Sequence, residues 1–474
     1  MSDSNEKKKM IKKISKITTF PVPLSIEKEE ETLNLFTKFK SIESREEIIN
    51  KAFKFHSEGN LLEAANYYQF FIDQGYNDQR ILTNYGVVCK KQGKIRKAIE
   101  LYRKSISLFP NYPIAYNNLG ILLRESGDLK DAEVLSRKAI KIKPDFHVGY
   151  LSLGLILRDL VKLKEAESST RKAIEIKPNC AESNLNLGFI LRDLGELKEA
   201  ELFTKKAIEF NANYAQAHFS LGNIFRESGK IKEAEQSTRR AISINPNFPE
   251  AYLNLGLILR SIDKLQEAEL LTRKAIDIKP NYNEAKLNLG LILLDLGKSN
   301  EAEALTREAI KHNKDNEKFF LNYSLILSDL GRLKEAEIAT INAIKIKPSF
   351  PEAHLSHGLI LRRLGKLEDA ESSIRKAIEI QPNFPEAHSN LGLILRELKR
   401  FKEAIDSYKK AIHLNKNLSG AKAGLLGCKS LICDWSDQES QSIWLQTLGI
   451  KGDAVGPLGL LYLEDNPLKH LKRS

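Results

Sequence analysis

Apolar positions along this chain fall into a pattern that returns every 34 residues. In the copy from Tyr150 to Pro178, YLSLGLILRDLVKLKEAESSTRKAIEIKP, Leu153, Gly154 and Leu157 recur at helical spacing, and Ala166, Thr170, Ala173 and Ile174 recur in a second run. The two runs predict two helices. Small residues at Gly154, Ala166 and Ala173 let the helices approach as an antiparallel pair, while Leu157 and Ile174 fill the remaining space. Glycine usually stands at the end of the first helix (Gly127, Gly195, Gly229, Gly297, Gly331, Gly365), where it supplies a left-handed cap. Proline usually closes the second (Pro110, Pro144, Pro178, Pro246, Pro280, Pro348, Pro382), because it cannot continue a helix.

Places in the repeat are counted so that Gly154 stands at place 8. Steps of 34 residues from it land on Gly86, Gly120, Gly188, Gly222, Gly256, Gly290, Ser324, Gly358 and Gly392. The alanine at place 20 never fails, from Ala64 to Ala404, so eleven repeats without insertion occupy residues 45–418. A single helix pair cannot bury its own apolar faces, so neighbours must stack, and the expected fold is an all-α solenoid. Residues 1–44 read as a basic arm ending in a PVPLS turn and followed by a candidate capping helix; residues 419–474, where the period breaks, read as a C-terminal capping segment.

With glycine at place 8, alanines at 20 and 27 and proline at 32, the unit resembles the tetratricopeptide repeat. The resemblance implies a right-handed superhelix whose first helices line the inside, and a scaffold that binds other proteins or peptides. The chain departs from the family at place 24. The aromatic residue survives at Tyr68, Tyr102 and Tyr408, whereas the middle repeats carry Ser136, Thr170, Thr204, Thr238, Thr272, Thr306 and Thr340. We read these as smaller residues in the same core site.

Place 6 holds Asn84, Asn118, Asn186, Asn254, Asn288, Asn322 and Asn390, with serine in other copies. Asparagine is a mediocre residue inside a helix, so stability does not ask for it on a face not used for packing. Similarity to the repeat half of O-GlcNAc transferases implies an asparagine ladder down a concave groove that holds the backbone of an extended polypeptide. An amide suits that task because it both donates and accepts. The alternative is that repeat duplication has multiplied a neutral residue. Place 12 is usually arginine and place 13 usually acidic; place 9 is mostly leucine or isoleucine, which leaves no charged clamp of the chaperone-binding type.

Net charge is +12, and the first twenty residues carry six lysines against two acids. In the repeats, Arg137, Arg171, Arg239 and Arg375 each follow a glutamate by four residues, the favourable order on a helix. That stripe reads as a solvated outer face, so nucleic acid is a disfavoured partner. His354 and His357 share a helix face but lack a third ligand, and no nucleophile recurs beside any histidine. No metal, cofactor or catalytic residue is therefore assigned. Four scattered cysteines, no apolar segment of about 18 residues and no apolar core behind the basic N-terminal run point to a reducing cytoplasm rather than a membrane.

Beyond residue 418, Cys433, Asp434, Trp435, Pro457, Asp465, Asn466 and Pro467 carry a resemblance to the junction between repeats and catalytic half in bacterial O-GlcNAc transferase-like proteins. It implies an alternative role, the substrate-recognition half of a glycosyltransferase, but transfers no active-site residue. The expectation for the chain itself is a non-catalytic scaffold.

Overall fold

The computed structural model describes residues 44–434, and within them every regular element is an α-helix. Eleven helix pairs run from Arg45–Ser57 with Leu61–Asp73 to Pro385–Glu397 with Phe401–Leu414, and Ser419–Leu431 follows them. Of the arm and capping helix expected over residues 1–44, all but Ser44 lie outside the described residues, as do the C-terminal residues from Trp435 onward. The chain divides into two compact units, residues 1–246 and 247–474. Within each unit a helix packs on the helices beside it in sequence, and first helices also touch the first helix of the next pair.

The seam inside each pair has a simple cause. A Cβ at Gly154 would overlap Thr170 Oγ1 across the pair, and at Gly392 it would lie 2.9 Å from the Tyr408 ring. Place 8 must therefore be small because place 24 fills the gap, whether with threonine or tyrosine. Ala166, Thr170 and Ala173 are all fully buried, so the threonines occupy the core site expected of them.

The first pair begins at a capping box in which the Glu47 amide donates to Ser44 Oγ at 3.3 Å and the Ser44 amide donates to Glu47 Oε2 at 2.7 Å. Its aromatic residues close that end: Tyr68 and Phe71 are fully buried, and Tyr68 lies edge-on to Phe53. His56 sits among them with Nδ1 2.9 Å from the Tyr68 hydroxyl. Burial, then the charge of Lys91, pushes the His56 imidazole down to about 4.

The left-handed cap at place 15 is adopted with or without glycine. Gly127, Gly195, Gly229, Gly297, Gly331 and Gly365 have φ between 71° and 95°, and Val161, Asp263 and Lys399 hold φ of 63°, 60° and 60° at the same place.

Candidate functional site

Places 5, 6, 9, 12 and 13 of the first helices face away from the place 7, 8 and 11 residues that pack on the second helix. The place-6 row was expected on a face free of packing. It lies instead in the seam between one first helix and the preceding pair. Asn186 Nδ2 donates to Thr170 Oγ1 at 3.0 Å, Asn288 Nδ2 donates to Thr272 Oγ1 at 3.3 Å, and Asn322 Nδ2 donates to the Leu287 carbonyl at 3.2 Å. Asn84 and Asn118 are fully buried and Asn254 nearly so. Asn390 is half-buried and donates to the Glu386 carbonyl of its own helix at 2.9 Å. At Asn186 and Asn288 the physical reason is the place-24 substitution: a threonine leaves room, and offers an oxygen, for the next amide. The amide oxygens of Asn186 and Asn288 have no partner among the described residues.

Beside this row runs a ladder of ion pairs that the sequence reading did not assemble. Place 12 of one pair reaches place 13 of the next. Lys90 pairs with Glu125 at 2.8 Å, Arg124 with Asp159 at 2.7 Å and Arg158 with Asp193 at 2.7 Å in unit 1; Arg260 pairs with Asp295 at 2.5 Å and Arg362 with Glu397 at 2.7 Å in unit 2. The Arg158 guanidinium also lies over the Phe189 ring at 5.0 Å. Where the letters are exchanged, the contact survives reversed: Arg363 donates to the Ser328 carbonyl at 2.8 Å. The recurring base at place 12 and acid at place 13 was the available signal, hidden by a separation of 35 residues.

Between these two rows, place 5 and place 9 form the floor. In unit 1 the floor is buried at Leu151, Leu155, Leu185 and Phe189, with Val87 and Ile121 before them, and Asn223 after them is half-buried. In unit 2 Leu253 is still buried, and beyond it the same places open. Leu257, Leu287, Leu291, Leu321, Leu355, Leu359 and Leu393 are half-buried and Leu325 is exposed.

The second-helix face is a different surface. Arg137, Arg171, Arg239 and Arg375 meet Glu133, Glu167, Glu235 and Glu371 at 2.8–2.9 Å, as the i, i+4 spacing predicts. Other glutamates at place 21 also receive the base at place 16 of the following pair, as in Lys162 to Glu133 and Lys298 to Glu269, whereas that place after Glu167 is Glu196 and Glu167 takes Lys164 of its own helix. Burial alone would raise the Glu167 carboxyl, but hydrogen bonds from Arg171 and Lys164 hold it below the usual carboxylate range. The basic stripe is therefore largely neutralised in place.

Two equivalent clefts open beside it where places 22 and 23 are both serine. One of 700 Å³ is lined by Tyr150, Ser169, Arg171 and Lys172, and one of 650 Å³ by His354, Ser373, Arg375 and Lys376. Ser169 and Ser373 each donate to the place-4 carbonyl at 2.9 Å, and Lys172 and Lys376 pair with Glu175 and Glu379, so the lysines of these clefts are matched. His354, His388 and His218 put Nε2 within 2.9–3.1 Å of a backbone carbonyl six residues earlier, the role of an aromatic residue with a polar edge. His357 Nδ1 lies 2.8 Å from Thr340 Oγ1, and burial lowers its basicity. Cys433 and Asp434 are the last described residues, so the junction resemblance from Trp435 to Pro467 falls outside them.

Family models of the tetratricopeptide repeat match residues 77–145, 149–180, 181–214, 249–282, 287–353 and 385–418, and a TPR repeat model matches 222–261 and 358–398. An uncharacterized protein of Escherichia coli strain K12, YgeG, is 30% identical over 64 residues, which are 13% of this chain and 39% of that protein. The chain thus aligns with well under half the length of that curated relative. Among solved structures, yeast Tom70 superposes with a TM-score of 0.48 at 14% identity, over 84% of this chain and 98% of Tom70. YrrB, described as a TPR protein with an unusual peptide-binding site, gives a TM-score of 0.32 at 25% identity, over 40% of this chain and 96% of its own.

Proposed function

We propose, for a chain that belongs to the tetratricopeptide repeat family, that it is a protein-interaction scaffold whose first-helix face holds extended polypeptide. One observation carries the reading. Within unit 2, an apolar floor at places 5 and 9 is open to a ligand and bordered by buried amides on one side and ion pairs on the other. An extended peptide would lay alternate side chains on the floor and keep its backbone groups beside the polar edges.

The asparagine row enters this reading in a narrower form. The nitrogens of Asn186 and Asn288 are committed to Thr170 and Thr272, so a ligand N–H would meet only their oxygens. Asn84, Asn118, Asn254, Asn322 and Asn390 extend the row as positioning groups for the same seam.

The test is an array of random 15-residue peptides probed with the labelled full-length chain. Leu291→Lys with Leu325→Lys should remove binding to most positive spots. Lys274→Ala with Lys376→Ala on the outer face should matter only at low salt, where about 10 Å screening lengths lengthen. A larger loss from the outer pair would move the site to the second helices.

A further inference from the structure

Places 2, 5 and 9 follow one another by three and four residues, so they share one side of a first helix. Place 2 therefore continues the leucine floor toward the start of each helix. On Pro351–Arg363 and Pro385–Glu397, the last two first helices of unit 2 that carry a floor leucine, it holds Glu352 and Glu386. Both are exposed, and among the described residues neither carboxylate takes part in an ion pair or hydrogen bond. Glu250, by contrast, pairs with Lys279 at 3.1 Å, and Lys318 stands at place 2 of the helix before Glu352, which separates Glu284 from the later two. A glutamate in the first turn suits the helix dipole, yet the fold does not ask for it, since Ile114, Val148 and Gln216 stand at the same place elsewhere. The opposite edge of the two helices is basic in balance. Arg362 pairs with Glu397, Arg363 donates to the Ser328 carbonyl, and Arg396 adds a further guanidinium. Half-buried Leu355, Leu359 and Leu393 lie between the two edges.

We propose that this end of unit 2 selects peptides in which lysine or arginine recurs three residues apart beside apolar residues, with Glu352 and Glu386 receiving the bases. This rests on the reading of the first-helix face as a peptide seat. Charge decides the occupant: the acid edge accepts bases, and the arginine edge opposite does not. Spacing decides the register. The two first helices touch, and packed helices stand about 8–10 Å apart. One turn of polyproline II chain, three residues, advances about 9 Å, so residues i and i+3 reach successive helices from the same side. In a Lys-Leu-Pro triplet the lysine meets the acid edge, the leucine meets the floor, and the proline holds the extended form. Long-range charge works against such a ligand, because the whole chain carries +12, so a preference for it reports on nearby carboxylates.

Fluorescence anisotropy with the full-length chain and three labelled peptides, (Lys-Leu-Pro)3, (Gln-Leu-Pro)3 and (Glu-Leu-Pro)3, tests this. The lysine peptide should bind about five-fold more tightly than the glutamine peptide, and the glutamate peptide most weakly. Glu352→Gln with Glu386→Gln should bring the lysine and glutamine peptides within about two-fold of each other. Glu352→Lys with Glu386→Lys should reverse the order in favour of the glutamate peptide, a gain that a damaged fold cannot give. Glu308→Gln with Glu368→Gln, exposed on second helices of the same unit, should leave the order unchanged. No binding of the lysine peptide, equal binding of all three, an order unmoved by the inner pair, or the same shift from the outer pair each overturns the proposal. Leu359→Asn with Leu393→Asn separates it from the reading it rests on. Loss of the glutamine peptide in that variant keeps the floor as the seat even where no lysine preference exists. A full lysine preference with affinities unmoved by the variant would retain the acid edge and defeat the groove.

Discussion

Leu155 and Leu325 occupy the same place of the same repeat, one in each unit, yet the first is 2% exposed and the second 39%. The rows beside them follow suit. Arg158 and Asp193 keep 4% and 21% of their side chains exposed, while Arg362 and Glu397 keep 29% and 32%. In a solenoid each pair meets only its neighbours, so equal letters should give equal surroundings. The flanking letters differ, with Arg158 and Phe189 at the places where Ser328 and Leu359 stand around Leu325, so the difference reports on what larger neighbours do to an equal place.

The largest effect expected from that contrast is at the floor. Leu155→Ala should cost about 2–4 kcal/mol, as for a buried leucine, and Leu325→Ala less than about 1 kcal/mol. Urea unfolding followed by circular dichroism gives both. Equal costs would mean that Leu155 is packed no better than Leu325, and the contrast between units would fail.

The ladder comes next. Arg158→Ala strands Asp193 in a half-buried setting and also strips a cation from the Phe189 ring, so a loss of about 2–3 kcal/mol is expected. Arg362→Ala breaks an open pair and should lose about 0–1 kcal/mol, less again in high salt. A strong, salt-independent loss at Arg362 would show that its pair is as well shielded as that of Arg158.

The two predictions above rest on features that were unequally legible. The fold was open to reading because Gly154, Ala166 and Thr170 state the helix seam in a single copy. Two things were not. A polar letter in a helical pattern marks a solvent face, so Asn186 read as outward, although a threonine sixteen residues earlier had made it a packing partner. The Arg158–Asp193 pair was visible as two separate columns, since joining them needs the offset between successive pairs. The contrast between Leu155 and Leu325 was not read, because both are leucine at the same place and the difference lies in their flanking letters, Arg158 and Phe189 against Ser328 and Leu359.

Acid should act on unit 1 first. His56 is held near 4 in the folded chain and titrates near 6.5 when unfolded, so the unfolded state binds the extra proton as pH falls. Stability from this residue is complete above its unfolded value and is lost downward from there, by about 2 kcal/mol at pH 5. Subtracting the pH profile of His56→Gln from that of the native chain between pH 7 and pH 5 isolates it, before most carboxylates titrate. Parallel profiles would show that His56 is not the group responsible. In unit 2 burial also lowers the basicity of His357.

The smallest effect compares the helix caps. Val161 in unit 1 and Asp263 and Lys399 in unit 2 take the left-handed conformation that glycine takes elsewhere. The turn is fixed by its hydrogen bonds: the Val161 amide donates to the Arg158 carbonyl and the Lys162 amide to the Leu157 carbonyl, both at 2.9 Å. A β-branched residue is poorly suited to that conformation, at a cost of about 1–2 kcal/mol, whereas aspartate tolerates it. Glycine removes the strain but adds disorder to the unfolded chain, which returns about 0.5–1 kcal/mol. Val161 is half exposed, so its side chain contributes little burial that would be missed. Val161→Gly should therefore raise stability by about 0.5–1 kcal/mol, Asp263→Gly should change it by about zero, and Lys399→Gly should fall between. If Asp263→Gly stabilises as much as Val161→Gly, side-chain branching is not the source of the strain.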